Sequence, residues 1–119
     1  MQLRLTTRVV NGVAVVDCNG RIVFGDEAAA LRETVKSLIT NNKSILLNLK
    51  DVTYIDSGGL GILVGLYTSA RNNHAEVKLT NLTARVGQLL QVTKLLTVFE
   101  VFDDEASALR SFEKRAATA

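Results

Sequence analysis

The chain alternates between two hydrophobic rhythms. From Leu3 to Ile22, "LRLTTRVVNGVAVVDCNGRI", β-branched residues recur with a strand's period of two, and the run breaks at Asn11-Gly12. Asn-Gly suits the positive φ angles of a tight turn, so the stretch predicts a β-hairpin. Asn19-Gly20 is a second turn signal, after which "RIVF" predicts a short edge strand. Between Asp26 and Asn41 the period changes to that of a helix, with Leu31, Val35, Leu38 and Ile39 on one face. Asp26 suits the helix start through its charge and capping oxygen. Asn41-Asn42 is expected to end the helix in a left-handed conformation.

"SILLNL", Ser44 to Leu49, is almost continuously apolar and predicts a central strand covered on both sides. A turn is expected at Lys50-Asp51. The next stretch, "YIDSGGLGILVGLY" (Tyr54 to Tyr67), leads into a helix from Gly58 to Asn72, with Leu60, Leu63, Val64 and Tyr67 as one stripe and Ile62, Leu66 and Ser69 off it. "EVKLTN" (Glu76 to Asn81) alternates as a strand with Val77 and Leu79 inward. "ARVGQLLQVTKLL" predicts a helix on Val86, Leu89 and Leu90, and "VFEVF" (Val98 to Phe102) a last strand. A final helix begins at Asp103-Asp104 and uses Ala106, Leu109 and Phe112. Residues 112–119, ending in "KRAATA", are expected to fray. A hairpin followed by alternating helices and strands predicts an α/β fold in which a single mixed β-sheet packs against helices.

Composition narrows the function. At 119 residues the chain is long enough for one domain, 1–119, and too short for two. A net charge of +2, with scattered Lys and Arg and 5% aromatics, argues against nucleic acid as a partner. The single cysteine, Cys18, excludes an intrachain disulfide and a cysteine-based metal site, and is expected in the core rather than as a redox-active thiol. No apolar run is long enough to span a bilayer, and no signal-peptide core stands at the N-terminus, so a cytoplasmic location without membrane insertion is expected.

The candidate chemistry centres on Ser57. Four roles compete. It is an N-cap for the helix that follows, since serine before a helix is most often that. As a hydrolase nucleophile it fails the G-x-S-x-G elbow, because Ile55 stands at the first glycine, and the sole histidine, His74, lies at the far end of the same predicted helix. As part of a phosphate cradle it lacks the Lys-Ser/Thr of a P-loop and the G-x-G-x-x-G pattern. As a modification site it has glycines beside it that leave the hydroxyl open, and a phosphoryl group there adds about −1.5 to −2 charges. The helix start favours that charge and Asp56 opposes it. Gly61 and Gly65, four apart, leave a shallow strip where another chain can approach.

"LLNLKDVTYIDSGGLGILVGLY" resembles the signature of STAS domains, in particular the bacterial anti-sigma factor antagonists. These carry an apolar strand, a short loop, then Asp-Ser-(Ser or Thr)-Gly-Leu-Gly opening a helix. "NGRI" and "LLQVTKLLTVFEVFDDEASAL" are similar to further parts of the family, and the likeness covers nearly the whole chain. The resemblance implies a STAS-like fold and a protein that is neither catalyst nor cofactor carrier. Its unphosphorylated form binds an anti-sigma factor that is also a serine kinase. That kinase phosphorylates the serine after the motif's Asp, here Ser57, and a PP2C-type phosphatase reverses it. Docking is implied for Asp56, Ser57, Gly58, Gly59, Leu60 and Gly61. Two positions depart from the pattern. Gly58 replaces the motif's second hydroxyl, and Val23 stands where many relatives carry an acid near the second strand. A chain that has lost its phosphorylation would act as a STAS interaction subunit without a phosphoswitch, in a lipid-transport or stress-signalling assembly. A small nucleotide-binding protein is the alternative of another class.

Overall fold

The computed structural model describes residues 2–118, with side chains described for 2–113. Five strands form one sheet in the order β1-β2-β3-β4-β5: Leu3–Val10, Val13–Ile22, Ser44–Ile55, Glu76–Thr80 and Val101–Phe102. β1 and β2 are antiparallel, and the other three pairings are parallel, which makes the sheet mixed as expected. The hairpin turns at Asn11 and Gly12, both at positive φ.

The sheet grows from β2 toward one edge. Right-handed crossovers along such a sheet leave their helices on one face. Accordingly α1 (Asp26–Ile39), α2 (Ser57–Asn72) and α3 (Ala84–Val92) contribute Leu31, Leu63 and Leu90 to one apolar cluster with Val16, Leu47 and Leu79. α4 (Glu105–Thr118) covers the other face, where Ala108, Leu109 and Phe112 meet Val13, Val15 and Leu46. β3 is therefore buried on both sides, as its apolar run predicts.

Several boundaries differ from expectation. Asn19-Gly20 is not a turn: both residues lie within β2, and Gly20 is required because a Cβ there would come 2.1 Å from the carbonyl oxygen of Gln2, just before β1. No separate edge strand forms from "RIVF"; Arg21 and Ile22 finish β2, paired to Tyr54 and Ile55 of β3. Lys50-Asp51 is no turn either. β3 runs on to Ile55, and two register shifts against β2 admit two extra residues. These bulges bring Leu49, Val52 and Ile55, three apart, onto the same buried face. A spacing of three disguises a strand whose ideal period is two.

The helix ends also shift. Gly25, not Asp26, precedes the first turn of α1, and Asp26 makes no capping hydrogen bond. α1 ends without a left-handed asparagine; instead the Asn42 side chain donates to the Leu38 carbonyl at 3.0 Å. α3 stops at Val92, since Lys94 takes positive φ and a 3₁₀ turn, Leu95–Thr97, follows. The last strand shortens to Val101–Phe102. α4 begins at Glu105, just after the expected Asp103-Asp104, and Asp104 caps it by accepting from the Ser107 N–H at 2.7 Å. Phe112, where fraying was expected to start, is buried against the sheet. The expected frayed end at 114–119 falls outside the residues whose side chains are described. Among the described residues no helix is long and apolar enough to cross a membrane.

Candidate functional site

The turn from β3 into α2 is built around Asp56. Its extended backbone (φ −97°, ψ −178°) sets it as the N-cap, and its carboxylate accepts the Gly59 N–H at 2.8 Å. Both carboxylate oxygens also receive the Phe24 N–H, at 3.1 and 3.0 Å. The Asp56 N–H returns a bond to the Ile22 carbonyl at 3.3 Å. One side chain thus fastens the loop after β2 to the start of α2. The N–H groups of Gly59 and then Phe24 hold the Asp56 carboxyl below the usual carboxylate range, so it is ionised at neutral pH.

This geometry corrects the capping expectation: the cap is Asp56, and Ser57 is the first residue of the helix. The Ser57 side chain is exposed, and its hydroxyl has no hydrogen-bond partner among the described residues. The same geometry weakens the phosphate-cradle reading, because the Asp56 carboxylate already occupies N–H groups that a cradle would offer. His74 ends α2's exit turn, exposed and at positive φ, sixteen helical residues beyond the start. The chain's one histidine is therefore far from Ser57.

Two glycines are explained by close approach. A Cβ on Gly59 would lie 2.1 Å from the Ile22 carbonyl oxygen, and one on Gly58 would lie 2.7 Å from the Phe24 Cβ. Gly58 replaces the motif's hydroxyl residue because Phe24 fills that space. Of the six residues named for docking, Asp56, Ser57, Gly58 and Gly61 are at least partly exposed, whereas Gly59 and Leu60 are buried. Leu66, expected off the apolar stripe, is buried with Leu60 and Leu63. Val64 and Tyr67 are half-buried, with Tyr67 packed edge-on to Phe99 at 5.4 Å. Gly61 and Gly65 face open space, with nothing within 4 Å of an added Cβ.

Residues the motif does not contain complete the surroundings. Between the end of β3, the start of α2 and α3 lies a groove of about 350 Å³. Ile55, Val86, Leu89 and Val92 give it apolar walls, and Tyr54, Asp56, Ser57 and Arg85 also border it. The guanidiniums of Arg21 and Arg85 lie 5.2 and 5.7 Å from the centre of the Tyr54 ring. Val92 is 74% exposed and Phe24 81%, so large apolar side chains stand on the surface around the serine. No periodicity marks these residues. They are scattered from position 21 to position 92 and meet only because the strand ends and the helix start converge.

Cys18 is buried as expected, and burial, reinforced by Asp17, pushes its thiol up to about 12. It is protonated at neutral pH, which suits an inert core residue. Among the described residues no group of three or more His, Cys, Asp or Glu side chains is placed to hold a metal.

The model of the STAS domain family matches residues 4–108. The anti-sigma-B factor antagonist of Bacillus subtilis (strain 168) is 34% identical over 74 residues, covering 62% of this chain and 68% of the relative. The anti-sigma F factor antagonist of Paenibacillus polymyxa is 30% identical over 69 residues, 58% of this chain and 59% of the relative. Among solved structures, a putative anti-sigma factor antagonist from Thermotoga maritima superposes with a TM-score of 0.83 at 23% identity, over 90% of this chain and 92% of that one. The anti-sigma factor antagonist SpoIIAA in its unphosphorylated form gives 0.78 at 17% identity, over 93% and 97%. These structural likenesses concern the fold.

Proposed function

We infer, for a chain that belongs to the STAS domain family, that it is an anti-sigma factor antagonist controlled by phosphorylation of Ser57. The observation that carries this reading is the division of labour at the start of α2. Asp56 caps the helix, so the Ser57 hydroxyl has no structural duty and stands exposed. A kinase can take it without breaking a bond that the fold needs. The related anti-sigma factor antagonists of Bacillus subtilis and Paenibacillus polymyxa support that role.

In this reading the unphosphorylated protein docks on an anti-sigma factor that is also a serine kinase, in the cytoplasm, through the exposed rim around Asp56, Ser57, Gly58 and Gly61. The kinase moves the γ-phosphoryl group of ATP onto Ser57 Oγ. An O–P bond forms at serine, the bond to the ADP oxygen breaks, and the hydroxyl proton leaves. A neutral, unpaired hydroxyl becomes a dianion beside Asp56, and a partner surface fitted to the first rejects the second. A PP2C-type phosphatase restores the serine. The chain itself is substrate and ligand rather than catalyst, and Leu60 and Gly59 support the rim from below.

Incubation with the cognate anti-sigma kinase and ATP, followed by intact-mass measurement, tests this. One phosphoryl group should appear on the wild type and none on Ser57→Ala. Ser57→Asp should weaken partner binding by more than Ser57→Ala does. An unchanged mass, or a gain that persists in Ser57→Ala, removes the switch. A second reading, a STAS interaction subunit without a phosphoswitch, draws support from Phe24, which crowds Gly58 and narrows one approach to the serine.

A further inference from the structure

A phosphorylated Ser57 has a charge problem. It carries about −1.5 to −2 charges next to an ionised Asp56. The start of a helix ordinarily receives an anion through its free N–H groups. Here the Asp56 carboxylate takes the Gly59 and Phe24 N–H groups and lies within reach of Gly58 as well. The dianion therefore has to find its counter-charge elsewhere.

The groove offers one. Arg85, on the first turn of α3, borders the same 350 Å³ space as Ser57. It is exposed, takes part in no ion pair among the described residues, and rests only on the Tyr54 ring at 5.7 Å. Arg21 shares that ring at 5.2 Å, but it does not border the groove and its charge already acts on Glu27. We propose that Arg85 is the residue that receives the phosphoryl group of Ser57, turning from the Tyr54 face to pair with the phosphoryl oxygens across the groove. The proposal rests on reading Ser57 as the phosphoacceptor.

The chemistry favours the exchange. A guanidinium presents a planar fork of donors that matches phosphoryl oxygens in bidentate fashion, and such a charge-assisted pair outweighs an exposed cation–π contact. The pairing also spreads the effect of the modification. In the unmodified protein the groove is open, with a cation on its rim. In the phosphorylated protein the arginine and the phosphoryl group fill its mouth together, and a partner loses both the neutral serine and the free cation. One covalent event then alters two elements, α2 and α3.

The test uses the full chain with phosphoserine installed at position 57 by genetic encoding, so that no kinase is needed. The second ionisation of the phosphate is followed by phosphorus NMR. The charges facing it are Asp56 on the cap, Arg85 on α3 and Arg21 at the end of β2. Asp56 acts to raise that ionisation and the arginines to lower it. Arg85→Gln should raise it by about half a pH unit or more. Arg85→Lys should recover part of the difference, and Arg21→Gln should move it by less. An ionisation unchanged by Arg85→Gln, or moved more by Arg21→Gln, overturns the proposal. Arg85 is exposed and holds no backbone group, so these variants are expected to fold. A kinase that fails to label Ser57 would sink the proposed function without touching this measurement, and the converse holds.

Discussion

At the scale of single residues, the site is a set of exclusions. Asp56 takes the capping role and so excludes Ser57 from it; Phe24 takes the space above Gly58 and so excludes a side chain there. The second exclusion is testable. Gly58→Ser, which restores the hydroxyl the family motif carries, should cost about 1–2 kcal/mol, because its Cβ lands 2.7 Å from the Phe24 Cβ. In a Phe24→Gly background the cost should fall by about half, since the contacts with the Phe24 Cβ and Cδ1 vanish while the Cα of residue 24 remains 3.1 Å away. Chemical denaturation of the four proteins in this cycle measures it. Equal costs in both backgrounds would mean that Phe24 does not dictate the glycine. The motif made Ser57 and Asp56 legible in the sequence. Which of the two caps the helix was not legible, because both are good caps and the choice depends on where the Phe24 N–H arrives.

At the scale of elements, α2 is a core helix with one open strip. Leu60, Leu63, Leu66 and Ala70 point into the sheet, while Gly61 and Gly65 face outward with no neighbour within 4 Å of an added Cβ. Glycine in a helix interior is less favourable than alanine by about 1 kcal/mol. Gly61→Ala and Gly65→Ala should therefore each stabilise the isolated protein by about 0.5–1 kcal/mol, read from urea midpoints at constant slope. Destabilisation would show that the strip is wedged rather than open. If the strip is where a partner lies close, the same variants should bind the anti-sigma factor more weakly while folding better. The sequence shows that α2 is apolar over much of its circumference. It does not show that Leu66 turns inward, which depends on the helix's rotation against α1 and the sheet.

At the scale of the molecule, a polar tie joins the two layers. Arg8 on β1 donates to both oxygens of Asp17 on β2, at 2.7 and 3.0 Å, and to both oxygens of Glu105 at the start of α4. Asn48 on β3 donates to Asp17 at 2.8 Å. Lys78, buried beneath α4, pairs with Glu100 at 2.8 Å, reaches the Ser111 hydroxyl at 2.9 Å and lies 4.4 Å from the centre of the Phe112 ring. α4 is thus held by charge as well as by Leu109 and Phe112. The Arg8 guanidinium, and then Asn48, pull the Asp17 carboxyl below its usual 3.8, against the opposing effect of burial. Because the folded value is the lower one, its stabilising contribution is present above about pH 4. It is lost as pH falls below 3.8 through the folded value. Asp56 and Asp104 titrate with the same sign. Stability should therefore decline as pH falls from about 4 toward 2, and Asp17→Asn should flatten that decline. Denaturation midpoints across that range check it; an identical slope in the variant would mean that the tie contributes nothing to the folded state.

What the sequence determined by itself was everything carried by local periodicity and local chemistry. The hairpin at Asn11-Gly12, the buried central strand, the order of helices and strands, the inert Cys18 and the motif at Ser57 all lie within short stretches, where side-chain spacing and turn preference suffice. The tertiary structure decided what depends on two distant segments meeting. Gly20 is a strand residue because β1 pairs against it, and Lys50 and Asp51 stay in β3 because that strand pairs with β2 on both sides of a register shift. Ser57 is left unoccupied because Phe24 and Gly59 converge on Asp56, and Arg85 is brought to its groove by α3. Contacts between residues thirty positions apart leave no periodic trace in a chain, since only the packed sheet fixes which of them touch.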